Sequence, residues 1–250
     1  DDVVSPLLGR QARDFLNERG YAVAWHEYAM PHAVCMEEIE AIGDWLESAL
    51  VSDVVFSRSS IAEAELPLYE GIALAQITLV DTPALAAAAQ AALMAADAIG
   101  FELRETTFLK GEISTGPHLV QLATEDRAWL FPITRNGDHS ALQAILASPQ
   151  VLKVGFGLGN DRSALKARLG ITLQNVLDLG ETLRGPGHRG TVGAKVAVAH
   201  FFGQKLQKSK KTGTSNWATP RLTERQMLYA ANDAHVALRL YRMWLQKGGE

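Results

Sequence analysis

One cysteine in 250 residues, Cys35, leaves no partner for a disulfide framework and no thiolate cluster for zinc. His26 and His32 lie near it, but their spacing matches no zinc-ligand pattern. No apolar run approaches the roughly 20 residues that a membrane-spanning helix needs, so no membrane role is expected. The opening DDVVSPLLGR lacks the basic start and apolar centre of a secretory leader, and a cytoplasmic location is the expectation. Basic charge is also scarce overall, with a formal net charge of −4, which argues against a generally cationic nucleic-acid binder. The distribution is uneven, however. Residues 1–70 carry fourteen acids and four Lys or Arg, whereas residues 184–225 carry nine Lys or Arg and a single acid, Glu224. A basic block in an acidic chain is the local footprint that a polyanion recognises.

With 47% hydrophobic residues, a chain of this length supports one sizeable core and a small appendage. We divide it into an acidic, partly helical N-terminal extension, residues 1–66, and a main domain, residues 67–250. In the extension, Arg10–Arg19 and Glu37–Val51 have helical spacing, the latter with Ile39, Ile42, Trp45, Leu46 and Ala49 on one stripe. Tyr21–Tyr28 reads as a short strand and Ala62–Gly71 as a linker. From there strands alternate with helices. Strands are expected at Ile77–Val80, Ala98–Thr106, His118–Thr124, Arg127–Phe131, Val151–Phe156 and Val176–Leu179. Helices are expected at Pro83–Ala96, Ser140–Ala147, Arg162–Leu169 and Gly193–Phe202, and a loop around Lys110. The turn Glu125-Asp126 makes the third and fourth strands a hairpin. The pattern predicts an α/β fold, a mixed β-sheet flanked by helices.

The chain ends on its most structured stretch, Leu222–Tyr241. Thr223 and Gln226 have the spacing of a capping box, and Met227, Ala230, Ala231, Ala234, Ala237, Leu238 and Tyr241 recur at helical spacing. Tyr229 and Asp233 are four apart and share one face. In open sheets, sites form outside the carboxyl ends of parallel strands. Glu102, Asp161, Tyr229 and Asp233 all fall there. Carboxylates gathered from separate segments repel unless cations lie between them. All-oxygen donors favour Mg²⁺ or Mn²⁺, and two such ions can clamp both the attacking and the leaving oxygen of a phosphodiester.

Four segments, GPHLVQLAT, KVGFGLGND, KSKKTGTSNW and LTERQMLYAANDAHVALRLY, carry a resemblance in the order they occur. From about residue 71 to 245 the chain resembles the 3′–5′ exonuclease domain of the ribonuclease D and Werner-helicase type. That is the tyrosine branch of the DEDD superfamily, on a ribonuclease H-like fold. The branch is marked by Tyr229-Ala-Ala-Asn-Asp233; the histidine branch would have His at the position of Leu228.

The resemblance implies a metal-dependent exonuclease that acts on single-stranded or frayed DNA or RNA ends and releases nucleoside monophosphates. It implies Asp161, Asp233 and Glu102 as Mg²⁺ or Mn²⁺ ligands and Tyr229 as the residue that orients the attacking water. Asp178 is expected to be structural or to support the ligands. Lys205, Lys208, Lys210 and Lys211 would neutralise phosphates. Trp217 either stacks on a base or packs in the core. The first motif departs from the family, which has Asp-x-Glu where this chain has Glu102-Leu103-Arg104. A guanidinium cannot ligate a cation. Glu105 replaces the missing ligand only if a β-bulge turns it inward. Two readings of Arg104 stay open: an exposed strand residue beside a working Glu105, or a cation in the lost metal's place, paired with Asp161 or Asp233. The second makes the domain a catalytically weak or inactive nucleic-acid-binding module on the exonuclease fold.

Overall fold

A computed structural model describes residues 5–19, 23, 25–28, 35–53, 66–105, 116–134, 137–184, 190–219 and 221–248, with backbone alone for 45–53. The chain divides into two compact units, Asp1–Val54 and Val55–Glu250. The first holds two helices, α1 (Pro6–Asn17) and α2 (Met36–Asp53). The strand expected at Tyr21–Tyr28 is not formed by its described members, Val23 and Trp25–Tyr28.

The second unit contains a six-stranded sheet: β1 (Ile77–Leu79), β2 (Ala98–Arg104), β3 (Leu119–Ala123), β4 (Ala128–Pro132), β5 (Leu152–Gly155) and β6 (Val176–Asp178). Their order across the sheet is β1-β4-β3-β2-β5-β6. β3 is antiparallel to both β2 and β4, and the pairs β1–β4, β2–β5 and β5–β6 are parallel. The mixed sheet and the hairpin are therefore as the sequence pattern predicted. The helices are α3 (Pro83–Met94), α4 (Ser140–Leu146), α5 (Gly159–Leu169), α6 (Leu179–Thr182), α7 (Ala194–Phe202), α8 (Lys210–Gly213) and α9 (Glu224–Gln246). The loop expected around Lys110 lies outside the described residues.

Alternation along the strands sorts the side chains into two layers. Ile99, Phe101 and Leu103 of β2, with Val120 and Leu122 of β3, pack under α3, α4 and α5. On the other face Leu119, Ala123 and Leu130 pack under Ala230, Ala231 and Ala234 of α9. Farther along, Val236, Ala237 and Leu240 of α9 pack with α7 and Val154. Burying such apolar faces is worth about 25 cal/mol per Å² removed from water, and this is what presses α9 onto the sheet. The approach is close because β2 carries Gly100 there: a Cβ at that position would run into the carbonyl of Ala234. The capping box forms, with Gln226 N donating to Thr223 Oγ1 at 3.2 Å and Thr223 N to Gln226 Oε1 at 3.0 Å.

The reading of Ala62–Gly71 as a linker is corrected for its described part. Lys205 N donates to Pro67 O at 2.8 Å and Tyr69 N to Lys205 O at 3.0 Å, so this stretch is stitched to the second unit. Backbone groups that pair along a neighbouring segment do not behave as a free tether.

Candidate active site

β2 ends in Glu102-Leu103-Arg104. Leu103 belongs to the core beneath α3 and α4, so Glu102 and Arg104 share the α9 face. The β2–β3 register runs unbroken from Gly100↔Ala123 to Arg104↔Leu119, and His118 N donates to Arg104 O at 2.8 Å. No bulge interrupts β2, which ends at Arg104; Glu105 lies just past its end and is exposed. The expected bulge is absent from β2, while the charge of Glu105 bears on Asp161.

Asp161 stands in the first turn of α5, beyond the end of β5. Asp178 builds the turn that carries it. Its Oδ1 accepts from Gly157 N at 3.0 Å and Gly180 N at 2.9 Å, and its Oδ2 from Leu158 N at 2.8 Å. Both oxygens are thus used by backbone, a structural role.

Tyr229 and Asp233 project from one face of α9, and the Asp233 side chain is only 4% exposed. Its Oδ2 is paired with the Arg104 guanidinium, and its Oδ1 with Lys208 Nζ at 2.9 Å. Arg104 also stands 3.9 Å from Glu102 Oε1. Its guanidinium carbon lies 5.1 Å from the centre of the Tyr229 ring and 5.7 Å from that of Trp217. A guanidinium lying against two neighbouring aromatic rings and paired with a buried carboxylate has little freedom to leave. Of the two readings of Arg104, the pairing with Asp233 is therefore the one the structure has.

Trp217 is buried, at 2% exposure, among Leu119, Ala230, Ala231 and Ala234. Its Nε1 donates to Gly213 O at 3.1 Å. The assignment of Trp217 to base stacking is corrected: its faces are spent on packing. Gly213 sits against the Tyr229 hydroxyl, which a Cβ there would meet at 2.8 Å.

The electrostatics split this rim in two. Burial, then the charges of Glu102 and Glu105, push the Asp161 carboxyl up to about 8, with Arg104 opposing. Burial also raises the Glu102 carboxyl, against the pull of Arg104 and Lys208. The Lys208 ammonium is lowered by burial, against the raising effect of Glu102. Glu102 and Asp161 thus form an acidic half short of positive charge. Asp233, Arg104 and Lys208 form the other half, where two cations meet one carboxylate.

The donor set does not fit the pair of divalent ions that the resemblance implies. Among the described residues no three His, Cys, Asp or Glu side chains are grouped so as to hold an ion. Both oxygens of Asp233 already face cations, and Arg104 stands where the family's motif has a carboxylate. Asp233, expected as a ligand, is paired with Arg104 and Lys208 in this structure. Lys208, expected at phosphate, has its ammonium 2.9 Å from Asp233 Oδ1.

The remaining lysines divide as well. Lys205 is half-buried and tied through its backbone to residues 67–69. Lys210 and Lys211 are exposed on α8. Lys211 lines a shallow groove of about 380 Å³ with Ser215, Asn216, Arg221 and Arg225, next to the start of α9. Arg221 and Arg225 contributed to the basic block without being singled out from the sequence; what marks them is their convergence with Lys211 in space. A second cavity, about 400 Å³, opens at the carboxyl ends of β1 and β4. Leu79, Ile133, Leu222 and Trp217 form apolar walls, with His118 beside them.

A family model described as 3′–5′ exonuclease matches residues 77–247. The bifunctional 3′–5′ exonuclease/ATP-dependent helicase WRN of Mus musculus is 28% identical over 152 residues, which is 58% of this chain and 11% of that protein. The chain therefore spans a small part of the curated relatives it matches. The Nibbler EXO domain of Aedes aegypti superposes with a TM-score of 0.60 at 24% identity, over 72% of this chain and 92% of that one. Ribonuclease D of Trypanosoma brucei, solved in complex with RNA U12, gives 0.60 at 20% identity, over 67% and 61%. These two structures establish the ribonuclease H-like fold.

Proposed function

This chain belongs to the 3′–5′ exonuclease family, and from that premise we propose that it works on the 3′ ends of nucleic-acid chains at the rim between β2, α5 and α9. Family members generally use divalent metals. The observation that carries the reading is convergence. Arg104 alone touches or faces Glu102, Asp233 and Tyr229, and its charge bears on Asp161, so residues from three separate segments meet at one point. The groove of Lys211, Arg221 and Arg225 holds three cations and no acid, which suits the phosphates upstream of the end. The apolar cavity beside His118 suits a base through contact with Leu79, Ile133 and Leu222 rather than stacking on Trp217. A single-stranded or frayed end is the matching substrate, because a terminal nucleotide must leave its stack to enter either site.

Within this reading Tyr229 orients the attacking water and the acidic half, Glu102 and Asp161, receives positive charge from solution. No step is derived through a second ion at Asp233, whose charge is already balanced from within the protein. Hydrolysis is accordingly slow. The test is shortening of 5′-labelled single-stranded DNA and RNA oligonucleotides with Mg²⁺ or Mn²⁺. The native chain is expected to shorten them slowly, and Arg104→Glu about tenfold faster. No shortening by either protein with either ion would remove hydrolysis from the reading.

A second reading is favoured by one observation, the pairing of Asp233 with Arg104 and Lys208. In it the domain holds the end without cutting. Undiminished oligonucleotide binding with no product from the native chain would select it.

A further inference from the structure

The rim that accommodates a nucleic-acid end, on the reading above, has its own positive charge in the place where the family uses ions from solution. We propose that Arg104 and Lys208 act as built-in cations that grip a phosphodiester directly, so that this chain binds nucleic acid without any divalent metal. Four observations carry the inference.

Two cations, Arg104 and Lys208, stand together at the rim: both are paired with Asp233, and Arg104 also stands 3.9 Å from Glu102, so positive charge is present there without any ion. Arg104 is immobilised by the Tyr229 and Trp217 rings, so its position is preset before any ligand arrives. Its side chain is 16% exposed, so part of the guanidinium reaches the rim although Asp233 holds it. Lys208 is the more accessible partner, with its side chain 30% exposed, and it lies on the segment that leads to the groove of Lys211. Guanidinium and ammonium groups that retain donors recognise phosphate oxygens by charge-assisted hydrogen bonds. A bound divalent ion would have to displace Arg104 from Asp233. Arg104 therefore competes with metal and replaces its charge.

The experiment measures fluorescence anisotropy of 5′-labelled single-stranded DNA and RNA with the full chain, once in EDTA and once in Mn²⁺. Electron paramagnetic resonance counts bound Mn²⁺ without nucleic acid. The affinities in EDTA and Mn²⁺ are expected to agree within about twofold, and no saturable Mn²⁺ is expected in the micromolar range. Arg104→Glu should lose about tenfold in affinity in EDTA, recover it in Mn²⁺, and acquire a saturable Mn²⁺ signal. Lys208→Gln, at a more exposed position, should also weaken binding in EDTA, and it serves if the Arg104 variant does not fold. Binding by the native chain that vanishes in EDTA and returns with Mn²⁺ would overturn the inference while leaving the end-binding reading intact. Absence of binding under both conditions would overturn both.

Discussion

The two halves of the rim hold similar carboxylates in opposite circumstances. Asp161 is pushed up to about 8, by burial first and then by the charges of Glu102 and Glu105, with Arg104 opposing. Asp233, across the rim, is more deeply buried and has Arg104 on one oxygen and Lys208 on the other. The two carboxylates differ in the charge that stands opposite them. The difference traces to one residue of β2. A carboxylate at position 104 would have made both halves acidic and in need of ions. Arg104 leaves one half in need and satisfies the other.

The comparison breaks most sharply at Asp233. Asp233→Ala strands Arg104 and Lys208 in a part-buried setting, and a loss of about 3–5 kcal/mol is expected, read from the urea unfolding midpoint. The double change Asp233→Leu with Arg104→Met should cost about 1 kcal/mol or less, because no unpaired guanidinium remains and Lys208 can turn to solvent. A single-variant loss below about 1 kcal/mol would mean that the carboxylate is not a buried partner at all.

The acidic half predicts a pH effect. The native state keeps a proton on Asp161 up to about 8, whereas the unfolded chain releases it near 3.8. The native state therefore binds more protons across that window, and stability falls as pH rises through it, then levels off above about 8. The slope from this one group is at most about 1.4 kcal/mol per pH unit. Asp161→Asn should flatten the profile, as measured by unfolding at several pH values; an unchanged slope would place the strain on another group.

The smallest expected effect concerns the groove outside both halves. Replacing Lys211, Arg221 and Arg225 together by Ala should make the salt dependence of single-strand binding shallower, by about 2 in the slope of log K against log salt. Stability should stay within about 0.5 kcal/mol, since these are surface changes. An unchanged salt slope would show that the phosphates run elsewhere.

Much of the domain was legible in its residues. The alternation of Ile99, Phe101 and Leu103 with Gly100, Glu102 and Arg104 told the two faces of β2 apart, because strand geometry alone enforces it. The capping box at Thr223 and the alanine stripe of α9 set a helix that lies close to the sheet, for equally local reasons. Trp217 was not legible in the same way. A Trp after a lysine-rich run suits a base platform as well as a core, and only its packing against α9 distinguishes them. Arg221 and Arg225 are ordinary surface charges until the turn before α9 brings them beside Lys211.

The amino-acid sequence by itself determined the order of the strands and longer helices of the main domain, the acidic and basic blocks, and the presence of a guanidinium where a ligand was due, since each depends on composition or on neighbours a few residues away. It left open what that guanidinium meets. Only the tertiary structure decided that Arg104 pairs with Asp233, because the two are 129 positions apart and are joined through the seating of α9 on β2, which burial across the whole domain determines.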